Sequence, residues 1–336
     1  MPALRYRMPA EWEPHRATWI AWPHNREDWP GKFTPIPWIY VEIVRHLHRS
    51  ERVCIITTNP AGPRRLLTRA GVDLAQVDFF PFPTDRVWTR DYGPMFALQG
   101  RRLVIHNWRF NGWAKYPNWK RDDRVAARAA RALAVPLTEP GLVLEGGAFD
   151  VNGQGLLLTT EECLLSPQQQ RNPGLSKARL ESLLGRYLGI REVIWLGRGI
   201  DGDDTHGHID DIARFVGPST VVAAVEEDPA DPNHDVLQEN LARLRARRDL
   251  RVVTIPMPSP LYFNRQRVPA SYANFYIANK VVLVPTFHDP RDRIALSALA
   301  DLFPGRQVIG IHSVDLVWGL GTLHCLTQQE PLPWSP

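Results

Sequence analysis

Cysteine is scarce. Three residues, Cys54, Cys163 and Cys325, are scattered over 336 positions. An odd, widely spaced set argues against a disulfide framework and for a reducing compartment. Long apolar runs are also lacking: nothing approaches the roughly 20 consecutive apolar residues of a membrane span. The segment Met1-Pro2-Ala3-Leu4-Arg5-Tyr6-Arg7 has no apolar block of the secretory kind. A cytoplasmic location with no membrane partner is the expectation. Charge of one sign does not accumulate, the net charge being +4. The one basic concentration, residues 243–251, reads as the solvated side of a helix rather than a nucleic-acid face. No glycine-rich segment has the spacing of a phosphate loop or a dinucleotide fingerprint. Neither a linker nor a low-complexity tract divides the chain, so one domain over 1–336 is expected, with homo-oligomer formation left open.

What remains has an ordinary globular composition, 44% apolar and 23% charged, and is long enough for a sizeable core. Thirty prolines keep helices short and mark loops. Pairs of short strands around tight turns recur. Residues 95–98 and 103–106 flank Gln99-Gly100, and 148–151 and 156–158 flank Asn152-Gly153. Residues 212–216 and 220–223 flank Gly217-Pro218, and 273–277 and 281–284 flank Asn279-Lys280. Amphipathic helices are predicted over 38–50, 126–133, 177–188, 235–248 and 294–302, and single strands over 53–57, 193–196, 252–255 and 308–311. The spacing of the turns suggests an array of similar units. A fifth hairpin, pairing 17–22 with 322–326, would join the chain ends, close a ring of αβ units and turn residues near 91, 208 and 325 toward one axis.

Three segments carry chemistry. Cys325 lies in Gly319-Leu320-Gly321-Thr322-Leu323-His324-Cys325, among glycines and polar residues rather than in an apolar run, unlike Cys54 in Val53-Cys54-Ile55-Ile56. Asp203-Asp204-Thr205-His206-Gly207-His208-Ile209-Asp210-Asp211 is dense in carboxylates and imidazoles. If extended, it would turn His206, His208 and Asp210 to one face, a proton carrier beside a cation-binding carboxylate. The same run approximates the H-x-H-x-D-H spacing of zinc hydrolases, with Asp211 in place of the last histidine. Trp88-Thr89-Arg90-Asp91-Tyr92-Gly93-Pro94 presents Asp91 at a strand entrance, where pairing with Arg90 is the bland alternative. In Glu145-Gly146-Gly147 the glycines permit close backbone approach. Tryptophans near Asp, His and Gly, Trp88 and Trp113 among them, suit either a core or a cation pocket. Asp122→Asn, in the polar stretch Lys120-Arg121-Asp122-Asp123, is expected to have little effect on kcat/KM.

Together, Trp88-x-Arg90-Asp91-x-Gly93-Pro94, Glu145-Gly146-Gly147, the 159–165 segment, Asn172-Pro173, Gly207-His208-Ile209-Asp210 and His324-Cys325-Leu326-Thr327-Gln328-Gln329-x-Pro331 resemble the agmatine deiminase family. That family includes the Porphyromonas-type peptidylarginine deiminases, and the 9–15 and 21–23 segments match its N-terminal part. The resemblance implies an α/β five-bladed propeller (the pentein fold) and a cofactor-free hydrolase acting on a small guanidino substrate. It implies Cys325 as the nucleophile, Asp91 and Asp210 as ligands of the guanidinium nitrogens, and His208 as acid and then base. Glu145 would orient His208, and Trp88 would line the channel, with Asp204 and Trp113 also at the substrate. A guanidinium is resonance-stabilised and always charged, so a thiolate is a fitting attacker. The chain departs from the family at Leu320 and Thr322 before the cysteine, at Asp150 and at His206, so the pocket for the substrate tail is expected to differ. Deimination of free or peptidyl arginine, a zinc hydrolase, and an idle pentein that only binds are the competing readings.

Overall fold

The computed structural model describes residues 6–333. Residues 1–5 of the N-terminal segment read above, and residues 334–336, lie outside it. Four three-stranded sheets share one construction, and a four-stranded sheet extends it. In the first, Met95–Gln99 and Arg102–His106 form an antiparallel hairpin, the helix Val125–Leu133 follows, and Leu137–Thr138 returns parallel to the second strand. The pattern repeats with Phe149–Val151, Leu156–Thr160, the helix Lys177–Leu188 and Glu192–Leu196. It repeats again with Ala213–Gly217, Thr220–Val225, the helix Asn233–Arg245 and Arg251–Pro256. Tyr276–Ile277, Val281–Thr286, the helix Asp292–Leu302 and Gln307–His312 make the next. In the four-stranded sheet, Thr327–Pro331 pairs antiparallel with His15–Ala21, and Arg52–Ile56 and Val77–Phe80 add in parallel after the helices Ile36–Leu47 and Ala61–Arg69.

Local chemistry explains these elements. The helix Lys177–Leu188 starts where the Ser176 side chain accepts the Arg179 N–H, and it stops at Gly189, whose φ is 76°. Its buried residues Leu180, Leu183, Leu184 and Leu188 fall at helical spacing. The middle strands Thr220–Val225 and Val281–Thr286 are buried along nearly their whole length, which is why they read as continuous β-branched runs rather than alternating ones. Basic residues 243–251 lie on the surface as expected, and Arg243 and Arg247 are paired with Glu161, Glu239, Glu192 and Asp249. No helix among the described residues is long and apolar enough to cross a membrane.

One expectation fails for a physical reason. The chain ends do pair, but through Thr327–Pro331 rather than 322–326, with Ile20 opposite Thr327 and Ala17 opposite Glu330. Residues Leu323–Leu326 are instead one helical turn. Asn274 Oδ1 accepts the N–H groups of His324 (3.0 Å) and Cys325 (3.4 Å), and the Thr327 hydroxyl donates to Leu323 O at 2.9 Å, which hold that turn. The true strand is polar yet buried: Gln329 accepts from Arg90 at 2.7 Å and Glu330 from Trp19 Nε1 at 2.9 Å. Hydrophobic periodicity does not register such a strand.

Asp122 is not solvated. It is fully buried, and its Oδ1 accepts the N–H of Asp85 at 2.7 Å and of Arg86 at 3.4 Å, fixing the loop that leads into Trp88. Burial pushes its carboxyl well above the ordinary range. Asp122→Ala is therefore expected to lower stability by about 1–3 kcal/mol, since it strands two backbone donors. Denaturant melts check this, and an unchanged midpoint would remove Asp122 from that role.

Candidate active site

A cavity of about 180 Å³ is lined by Trp88, Asp91, Trp113, Tyr116, Asp204 and Cys325, among others. Cys325 sits in the helical turn Leu323–Leu326, and only 8% of it is exposed. The glycine-flanked cysteine thus belongs to the buried interior. One reason is Gly321: a Cβ there would lie 2.8 Å from the Trp88 ring and 3.1 Å from Cys325 Cβ. Only glycine lets the Trp88 indole pack this close to the chain ahead of Cys325. Asn274 Nδ2 donates to Cys325 Sγ at 3.1 Å, and the thiol is 3.6 Å from Asp210 Oδ2. Burial, then Asp210, Asp211 and Asp91, push the thiol well above its ordinary value.

Asp91 lies in the short helix Thr89–Tyr92 ahead of a hairpin. Its Oδ2 accepts Trp113 Nε1 and its Oδ1 accepts the Gly147 N–H, both at 2.9 Å. Gly147 has no room for a side chain, because a Cβ would fall 2.6 Å from His208 Nδ1 and 2.9 Å from Asp91 Oδ1. Burial, reinforced by Asp210 and Glu145 against the opposing His208, pushes Asp91 up to about 6. Arg90 does not pair with Asp91. It turns to Glu11 at 3.0 Å, Gln329 at 2.7 Å and His324 O at 3.3 Å.

His208 and Asp210 straddle the start of the 3₁₀ turn Ile209–Asp211, not a strand. They still face one point: His208 Nδ1 is 3.9 Å from both Asp91 Oδ1 and Asp210 Oδ1. His206 does not share that face. With φ of 68° it turns to Ser166 Oγ at 3.2 Å and lies 4.0 Å from Glu162. The zinc-hydrolase spacing is therefore not assembled. Asp150 is likewise elsewhere, accepting the Phe215 N–H and lying 3.5 Å from buried Arg214.

His208 is fully buried, which alone would lower its pKa. Asp91, with Cys163 and Glu145, outweighs burial and holds it well above the ordinary value. Glu145 Oε2 stands 3.9 Å from His208 Nε2, close but beyond a direct hydrogen bond. Burial opposes the charge on Glu145, but Arg171, 3.0 Å from Oε1, and His208 hold it down to about 2.

Several participants escaped the sequence reading. His324 Nδ1 contacts Asp210 Oδ2 at 2.7 Å, and its Nε2 contacts Glu11 Oε2 at 2.9 Å. Asp210 is buried, yet His324, His208 and Arg214 hold its carboxyl below the ordinary value. Its Oδ1 has no hydrogen-bond partner among the described residues. Asn274 gives one amide to Cys325, the Leu323–Leu326 turn and Asp211. His324 and Glu11 lay within segments that resemble the family but carried no role there, and Asn274 and Arg171 offered no signal beyond residue type. Asp204 and Trp113 do line the cavity, Asp204 already engaged by the Tyr116 hydroxyl and by Lys115 at 3.4 Å.

Fold and site define a mixed α/β protein in which a thiol, an imidazole and two carboxylates from distant segments converge, with the thiol and one carboxylate lining a cavity. The chain belongs to the family described as Porphyromonas-type peptidyl-arginine deiminase, which matches residues 7–331. It is 34% identical over 361 residues to the agmatine deiminase of Stutzerimonas stutzeri, covering 98% of this chain and 96% of that one. Among solved structures, the agmatine deiminase of Enterococcus faecalis superposes with a TM-score of 0.89 at 31% identity, over 97% of this chain and 96% of the other. A cysteine-to-serine variant of C. jejuni agmatine deiminase with substrate bound superposes with a TM-score of 0.90 at 29% identity, with the same coverage.

Proposed function

We propose that this chain is a cofactor-free guanidine deiminase that converts agmatine and water to N-carbamoylputrescine and ammonia. The observation that carries the reading is the meeting of Cys325, His208, Asp91 and Asp210 at one buried point. The named relatives and solved neighbours support agmatine as the substrate. So does the cavity lining, where Glu27 and Asp204 suit an ammonium tail. The single Arg86 there is paired with Asp28 at 2.9 Å and stacked 4.1 Å from the Tyr116 ring, so it offers a substrate carboxylate little. For the fold, the repeated sheets and the pairing of the chain ends support a five-bladed propeller of pentein type.

The chemistry follows from charge. In the free protein, the carboxylates that push the Cys325 thiol up are the groups that would bind the guanidinium. A cation seated between Asp91 and Asp210 cancels that field, and the thiol proton leaves to solvent. The thiolate attacks the guanidinium carbon, held in line by the two carboxylates. His208, an imidazolium in the free site, gives its proton to the departing nitrogen. The C–N bond breaks, and ammonia leaves a thiouronium on Cys325. His208, now neutral, takes a proton from water, whose oxygen attacks the same carbon. The C–S bond then breaks and the remaining hydroxyl proton leaves to solvent, giving the ureido product and the thiolate. Glu145, pinned by Arg171, lies beside the imidazolium as a fixed negative charge.

Asp91 must be ionised to hold the cation. With its pKa pushed up to about 6, kcat/KM is expected to fall as pH drops through 6, since that ratio reports the free enzyme. A flat profile from pH 5 to 7 would contradict it. The proposal itself is tested by assaying agmatine, arginine and arginyl peptides for ammonia and ureido product. Agmatine should be preferred, and no ureido product from any of them would overturn the reading.

A further inference from the structure

Behind His208, on the side away from Asp91 and Asp210, lies a cluster that the reaction does not use in full. Glu145, Cys163 and His208 are all buried, and one ligand atom of each lies within 4.8 Å of the others. Glu145 Oε2 and His208 Nε2 are 3.9 Å apart, and neither has a hydrogen-bond partner among the described residues. Arg171 engages only the other carboxylate oxygen, Oε1. Cys163 is held by the helix Glu161–Leu165, whose first turn is capped by the Thr160 hydroxyl accepting the Cys163 N–H at 3.1 Å. A thiol, an imidazole and a carboxylate thus converge from three fixed segments on one point, with two orphaned polar atoms aimed at it.

We propose that Glu145, Cys163 and His208 form an inhibitory site for a borderline-soft divalent cation of the zinc type. Tetrahedral zinc holds sulfur at about 2.3 Å and nitrogen or oxygen at about 2.0–2.2 Å, so these donors need only a small inward rotation. It shares only His208 with the His206–Asp211 run whose spacing resembled a zinc hydrolase. Binding displaces the thiol proton of Cys163 and the Nε2 proton of His208 to solvent, while Glu145 is already ionised. Metal-bound through Nε2, the ring keeps its Nδ1 proton as a neutral imidazole. It then cannot release that proton to departing ammonia at neutral pH, and it has no lone pair with which to activate water. Inhibition by this route rests on the deiminase reading, but metal binding does not.

The test uses the full chain and cadmium, whose thiolate complexes absorb in the ultraviolet. In Cys325→Ser, which removes the nucleophile, cadmium is expected to give a saturable absorption at one equivalent. Adding Cys163→Ser should abolish it. With Cys325 intact, zinc inhibition of Cys163→Ser, measured against its own metal-free activity, should need at least tenfold more metal than the unsubstituted protein. Should Cys163→Ser fail to fold, His208→Gln in the Cys325→Ser background makes the comparison, with cadmium affinity expected to fall at least tenfold. No absorption in Cys325→Ser overturns the site. So does absorption that survives Cys163→Ser, cadmium affinity unchanged by His208→Gln, or zinc inhibition with the same concentration dependence in Cys163→Ser. A chain without deiminase activity that still binds cadmium through Cys163 would refute the function and keep the site.

Discussion

Cys325→Ser is expected to lower kcat by at least ~10³-fold while leaving the fold intact. Serine fits the same space, and Asn274 Nδ2, which donates to Cys325 Sγ at 3.1 Å, can donate to a hydroxyl as well. The helical turn is held through backbone N–H groups that the substitution does not touch. What is lost is the nucleophile. A hydroxyl here faces Asp210 and the same buried negative field, and no base beside it could ionise it at neutral pH. Product formation and thermal melting, measured together, check this. Activity within about tenfold of the unsubstituted chain would remove Cys325 from the role.

The second large effect concerns the carboxylates. Asp91→Asn and Asp210→Asn are each expected to cost roughly 3–5 kcal/mol of transition-state stabilisation, about 10²- to 5 × 10³-fold in kcat/KM. The reasons differ. Asp91 spends both oxygens on donors, Trp113 Nε1 and the Gly147 N–H. An amide there must turn its NH₂ toward one of them, which disturbs the glycine turn against His208 as well as removing charge. Asp210 gives one oxygen to His324 and leaves Oδ1 without a partner. Its amide would keep the histidine contact and present N–H groups to a guanidinium that needs acceptors. Asp91→Asn should therefore melt lower. Asp210→Asn should also melt lower, because its buried cationic partners favour the ionised carboxyl in the folded chain. The double variant should lose less than the sum, because both groups act on one cation. A near-normal kcat/KM for either single variant would place the cation elsewhere.

Much of this was legible in residue order. Hairpins with Gly or Asn at the turn, helices of regular apolar spacing and strands buried on both faces announce themselves locally, and the observed helix Lys177–Leu188 begins and ends at the expected residues. The candidate groups were legible because Cys325, His208, Asp91 and Asp210 stand in unusual polar surroundings. What was hidden is polar and buried. Thr327–Pro331 carries Gln328, Gln329 and Glu330 into the interior, where Gln329 and Glu330 depend on partners hundreds of residues distant, so no local pattern distinguishes it from a loop. Asp122 looked like surface because its neighbours are charged, yet its function is to accept backbone N–H groups from another loop. His324 and Asn274 act through contacts with Asp210, Glu11 and Cys325 that exist only once the chain ends have paired. His206 shows the reverse case. Its sequence spacing to His208 invited a shared role, but a left-handed backbone conformation sends it to Ser166.

The central claim is a covalent bond between substrate carbon and Cys325 Sγ. The most direct measurement mixes the protein with agmatine, quenches it with acid during turnover and maps the mass of each cysteine peptide. A substrate-derived amidino adduct on the peptide containing Cys325, absent from Cys325→Ser and from the peptides of Cys54 and Cys163, is the predicted result. Steady turnover with no adduct under conditions that trap the intermediate, or an adduct on Cys163, would contradict the account.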